Sequence, residues 1–102
     1  MNLIQILLPL YDNEGNRLPS ALFDEVRREL TDRYGGVTAF TRSPAEGFWK
    51  VEGEGTSRDD IVVIEVMTQE VDRTWWRKYR ERLEAGFRQE SVIVRTHAAE
   101  LL

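Results

Sequence analysis

Ile61-Val62-Val63-Ile64-Glu65-Val66-Met67-Thr68 is the run on which the fold turns, and its counterpart near the start is Asn2-Leu3-Ile4-Gln5-Ile6-Leu7-Leu8-Pro9-Leu10. The first is rich in β-branched residues, which suit a pleated, buried backbone. In the second, Ile4, Ile6, Leu8 and Leu10 recur at a period of two, with Leu3 and Leu7 on the other face beside Gln5. Both runs therefore predict strands that are apolar on two faces, as expected at the centre of a sheet.

Outward from these strands the chain is punctuated clearly. Asp12-Asn13-Glu14-Gly15-Asn16 is a cluster of turn formers that reverses the chain after the first strand. Pro19 and Ser20 then open a helix whose Leu22, Phe23, Val26, Leu30 and Tyr34 share one face, and Gly35-Gly36 supplies a left-handed cap. Val37 to Arg42 reads as a second strand, 43–47 as a break, and Phe48-Trp49-Lys50-Val51 as a short strand or a continuation after a bulge. A polar, glycine-containing connection over 52–60 leads into Ile61. Asp72 is suited to cap a second helix running to about Arg88, with Trp76, Tyr79, Leu83 and Phe87 as its apolar stripe. Ser91 to Thr96 alternates Val92, Val94 and Thr96 against Ile93 and Arg95 as a final strand, and Ala98 to Leu102 is a short tail.

The order strand-helix-strand-strand-helix-strand predicts one α+β domain over 1–102, a ferredoxin-like two-layer sandwich with two helices on one face of an antiparallel sheet. Right-handed crossovers place the first and third strands at its centre. The helices are expected to cover Ile4, Ile6, Leu8, Val62, Ile64 and Val66. Leu3, Gln5, Leu7, Ile61, Val63, Glu65 and Met67 then fall on the uncovered side. So many large apolar side chains exceed what solitary surface hydrophobes explain. Leu3, Leu7, Ile61, Val63 and Met67 are accordingly read as an interface, and a homo-oligomer, in the first place a dimer, is expected.

Composition narrows the chemistry. The 102 residues are 41% hydrophobic and 31% charged, as in an ordinary globular domain. Without cysteine there is no thiolate metal site or cysteine nucleophile, and the single histidine, His97, cannot supply a two-imidazole site from one chain. No metal and no cofactor is expected. No apolar run reaches the ~20 residues of a membrane helix, and the net charge of -4 argues against nucleic acid as the default partner. Glu52, Glu54, Asp59 and Asp60 lack the spacing of a calcium loop, and Gly53 and Gly55 lack the lysine of a phosphate loop.

Four runs together resemble a family of small uncharacterised bacterial proteins, many of them exported, that is classed as a domain of unknown function. They are Leu10-Tyr11, Arg33-Tyr34-Gly35-Gly36-Val37-Thr38, Gly47-Phe48-Trp49-Lys50 and, most specific, Phe87-Arg88-Gln89-Glu90-Ser91-Val92. The resemblance spans most of the chain and implies the same strand-helix order, but carries over no catalytic residue. This chain opens directly on its first strand. A cytoplasmic location is expected instead of an exported one.

Strand phase puts Gln5, Glu65, Arg95 and His97 on the uncovered face together. Under a dimer cover they would form a shielded pocket, with Glu65 or His97 as a general base and Arg95 and Gln5 binding an anionic substrate. The competing reading is an interface ion pair between Glu65 and Arg95, a Gln5 bonded to its symmetry mate, and a His97 that frays with the tail. Trp75 and Trp76 project about 100° apart on a helix, so only Trp76 is placed in the core. Trp75 shields the helix flank or marks a partner surface. The arginines and Lys78 of the second helix make a basic surface, read as a solvated face with the pairs Arg77–Glu81, Lys78–Glu81 and Arg80–Glu84. Three functions stand open: an oligomeric binding or interaction module without catalysis of its own, a cofactor-independent small enzyme or small-molecule binder using the uncovered face, and a ligand-sensing trimer of nitrogen-regulatory-like architecture.

Overall fold

The computed structural model describes residues 1–42 and 60–102. The expected break and short strand over 43–51, and all of the polar connection but Asp60, lie outside the described residues. The elements are β1 (Asn2–Pro9), α1 (Ser20–Tyr34), β2 (Thr38–Arg42), β3 (Ile61–Thr68), α2 (Arg73–Gly86) and β4 (Ile93–Ala98). They form a four-stranded antiparallel sheet in the order β2-β3-β1-β4 with two helices, the ferredoxin-like arrangement. The two strands that are apolar on both faces occupy the centre.

The β1–β3 register pairs Ile4 with Val66, Ile6 with Ile64 and Leu8 with Val62, so every covered position of one strand meets a covered position of the other. All six are buried and join one core with Phe23, Val26 and Leu30 of α1 and Trp76, Tyr79 and Leu83 of α2. Asp12 closes the turn after β1: its Oδ1 accepts from the backbone N–H groups of Glu14 (2.9 Å) and Asn16 (2.8 Å). The Leu18 N–H then donates to the Leu10 carbonyl at 3.0 Å, and both side chains enter the core. α1 ends where Gly35 adopts φ 81°, its N–H donating to the Thr31 carbonyl at 2.7 Å. Asp72 caps α2, its Oδ1 accepting from the Trp75 N–H at 3.1 Å.

Two boundaries differ from the sequence reading. α2 stops at Gly86 rather than near Arg88, because Arg88 itself takes the left-handed conformation (φ 54°) while the Gln89 N–H reaches back to the Glu84 carbonyl at 2.9 Å. β4 spans Ile93–Ala98 rather than Ser91–Thr96, because the Glu84 carboxylate accepts the Val92 N–H at 3.0 Å. At the far end His97 pairs with Leu3 and Ala98 with Asn2. His97 is thus a strand residue and does not fray with the tail.

Leu30 is fully buried (0% exposed), whereas Asp72 acts through one exposed cap. Urea denaturation should show Leu30→Ala losing about 2–5 kcal/mol and Asp72→Ala only about 1 kcal/mol. Equal losses would contradict this division between core and cap.

Candidate functional site

The sheet face that neither described helix covers is built in rows by the ladder itself, since directly paired residues in an antiparallel sheet project to the same side. One row is Thr38, Glu65, Gln5 and Arg95; beside it Val63, Leu7 and Ile93 align, and on the other flank Met67, Leu3 and His97. Three of the four polar residues singled out in the sequence are brought into contact. Gln5 Nε2 donates to Glu65 Oε2 at 2.6 Å, and Arg95 Nε donates to Gln5 Oε1 at 2.8 Å.

Within one chain Gln5 therefore joins an acid to a base, and Glu65 and Arg95 are linked through the amide rather than directly. An amide suits this position because it carries a donor and an acceptor on one planar group. His97 stands one row away, exposed, and its imidazole makes no hydrogen bond among the described residues. The three linked residues form one polar stripe across three strands. Its apolar neighbours are unevenly covered: Val63 is buried yet stands apart from the main core, Leu3, Leu7 and Ile61 are half-buried, and Met67 (36%) and Ile93 (52%) are exposed.

Trp75 lies on the helix layer, on the other side of the sheet from this face. It stacks on Tyr79 at 4.8 Å between ring centroids and 14° between planes, while the Arg33 guanidinium sits 4.2 Å from its ring centroid. Trp76 is in the core as expected and stacks on Tyr34 at 5.7 Å. Of the three ion pairs expected along α2, Arg80–Glu84 is present at 3.9 Å. Sequence spacing along one helix had no means of finding two others: Arg82 Nη2 to Glu29 Oε2 of α1 at 3.1 Å, and Arg33 Nη2 to Asp72 Oδ2 at 3.7 Å.

Sequence reasoning also missed a groove on the helix side, between α2 and the edge strand β4, of about 220 Å³. Its signal was present as Arg73, Arg77 and Arg80, spaced to share one side of α2, but the strand that forms the opposite wall is known only from the fold. Compared with protein-family models, curated proteins and solved structures, the chain finds no match in any of the three. No helix among the described residues is long and apolar enough to cross a membrane.

Burial raises the pKa of the Tyr79 phenol above its ordinary 10.0; the Glu29 carboxylate adds to this, and Arg82 opposes it. The folded chain thus holds this proton more tightly than the unfolded chain. The associated stability is complete below about pH 10 and falls as pH rises above it. Tyr79 Oη has no hydrogen-bond partner among the described residues, so Tyr79→Phe forfeits no bond. Denaturation across alkaline pH should show Tyr79→Phe resisting base better than the parent chain; parallel pH profiles would contradict the assignment.

Proposed function

We propose that this protein is a homo-oligomeric binding module, dimeric in its simplest form, whose uncovered sheet face is the contact between subunits. The observation that carries this reading is the polar stripe Glu65–Gln5–Arg95 set between apolar rows. Charge runs along it from negative at β3 to positive at β4. A two-fold axis parallel to β1, between two such faces, lays one stripe on the other in reverse order. Each Glu65 then meets the partner's Arg95, Gln5 meets its own copy, and Leu7 and Leu3 come together on either side.

The same geometry supports a pairing role for these residues over a catalytic one. Gln5 already engages the Glu65 carboxylate and the Arg95 Nε, so both are held in place by a neighbour before any ligand arrives. Sheet-on-sheet packing would remove Met67 and Ile93 from water, and an isologous contact needs only that the face complement itself.

Light scattering on the purified chain at tens of micromolar should give twice the 11.9 kDa chain mass; a monodisperse monomer would sink the reading. Leu7→Glu should yield a folded monomer by circular dichroism. Glu65→Arg alone should weaken association by about tenfold or more, as for the loss of a charge-assisted contact. Adding Arg95→Glu should restore it. If the double exchange fails to recover the dimer while each variant remains folded, the proposed stripe-on-stripe docking is wrong.

A further inference from the structure

The groove between α2 and β4 has a lining of one electrostatic sign. Arg73, Arg77 and Arg80 stand along it from α2, no carboxylate lines it, and Arg95 of β4 borders it while its Nε donates to Gln5 on the other face. This occurs in a chain whose net charge is -4. The nearest acids are engaged elsewhere: Asp72 caps the Trp75 N–H and faces Arg33, and Glu84 accepts the Val92 N–H. Glu84 lies 3.9 Å from Arg80 Nε, beyond hydrogen-bond reach, so that nitrogen is left without a partner. The Arg73 and Arg77 side chains make no ion pair or hydrogen bond among the described residues.

Two further lining residues carry orphaned polar atoms. Trp76 is 5% exposed and its Nε1 has no hydrogen-bond partner, and the Thr96 Oγ1 is likewise buried and unpartnered. An indole N–H and a guanidinium can only donate, and a threonine hydroxyl can donate. Buried donors left unpaired are costly. What complements such a wall is a group made of acceptors and carrying negative charge. With three guanidiniums and two orphaned atoms available, a phosphoryl group with three terminal oxygens uses more of them than a carboxylate with two.

Size and the remaining lining define the rest of the ligand. A water occupies about 30 Å³ of liquid, and drug-sized molecules fill sites of roughly 300 Å³ and more, so about 220 Å³ suits a phosphate with a few carbons. Ile4, Val71 and Val94 give the carbons an apolar seat. We infer that the α2–β4 groove binds the phosphoryl group of a small organic phosphate through Arg73, Arg77 and Arg80, with the Trp76 indole N–H as an inner donor. The site lies on the helix side of the sheet, and the inference stands whether or not the chain dimerises through the other face.

The test is a titration of the full-length ¹⁵N-labelled chain with glycerol phosphate, following the assigned Trp76 indole N–H. Inorganic phosphate, glycerol and sodium chloride at matched ionic strength run in parallel. A saturable shift with glycerol phosphate is expected, tighter than with inorganic phosphate and absent with glycerol or chloride. In Arg77→Gln/Arg80→Gln, whose changed side chains line the groove without entering the core, affinity should fall about tenfold or more. The inference is overturned by no saturable shift at about 10 mM, where even a millimolar site fills. An unchanged affinity in the double variant, an equal response to chloride, or inorganic phosphate binding as tightly as glycerol phosphate would also overturn it.

Discussion

The pairing of β1 with β3 is the constraint on which everything else in this molecule rests. Ile4, Ile6 and Leu8 lie opposite Val66, Ile64 and Val62, and all six are withdrawn from water beneath two helices. A slip of one residue between these strands would carry the buried apolar set of one of them to the other face and bring Gln5 or Glu65 into the core. The hydrophobic cost of that exchange holds the register in place. The register in turn holds Gln5 beside both Glu65 and Arg95, so a polar stripe on one face is positioned by apolar packing on the other.

The helix layer divides its charges by direction. Toward α1, α2 is tied down: Arg82 pairs with Glu29, Asp72 with Arg33, and Arg33 also lies against the Trp75 ring. Toward β4, Arg73 and Arg77 find no carboxylate, and the one acid near Arg80 is committed to the backbone of Val92. Exposed pairs of the first kind add little to stability individually. Their larger consequence is to consume the available acids on one flank and leave the other flank uniformly cationic.

Much of this was legible in the one-dimensional pattern, for identifiable reasons. Side-chain alternation in a strand has a period of two whatever the strand pairs with, so the covered and uncovered sets of β1 and β3 could be separated by counting. The caps were legible because Asp72 and Gly35 act on backbone within three or four residues of themselves. The misread boundaries lie where a longer-range or less favoured contact intervened: Glu84 reaching Val92, and Arg88 taking the left-handed position that glycine usually fills. Between a His97 on the strand face and a His97 that frays with the tail the sequence could not choose, because its pairing with Leu3 spans nearly the whole chain.

By itself, then, the sequence determined which elements form, in what order, and which residues of each strand share a face, since those properties follow from local backbone geometry and periodicity. Only the tertiary structure decided which polar groups meet. It linked Gln5 to Glu65 and Arg95, assigned Glu29 to Arg82, and set β4 opposite the arginines of α2 to make a groove. The physical reason is range: a hydrogen bond or ion pair depends on a few tenths of an ångström between residues distant in sequence, and those separations exist only once the core has packed.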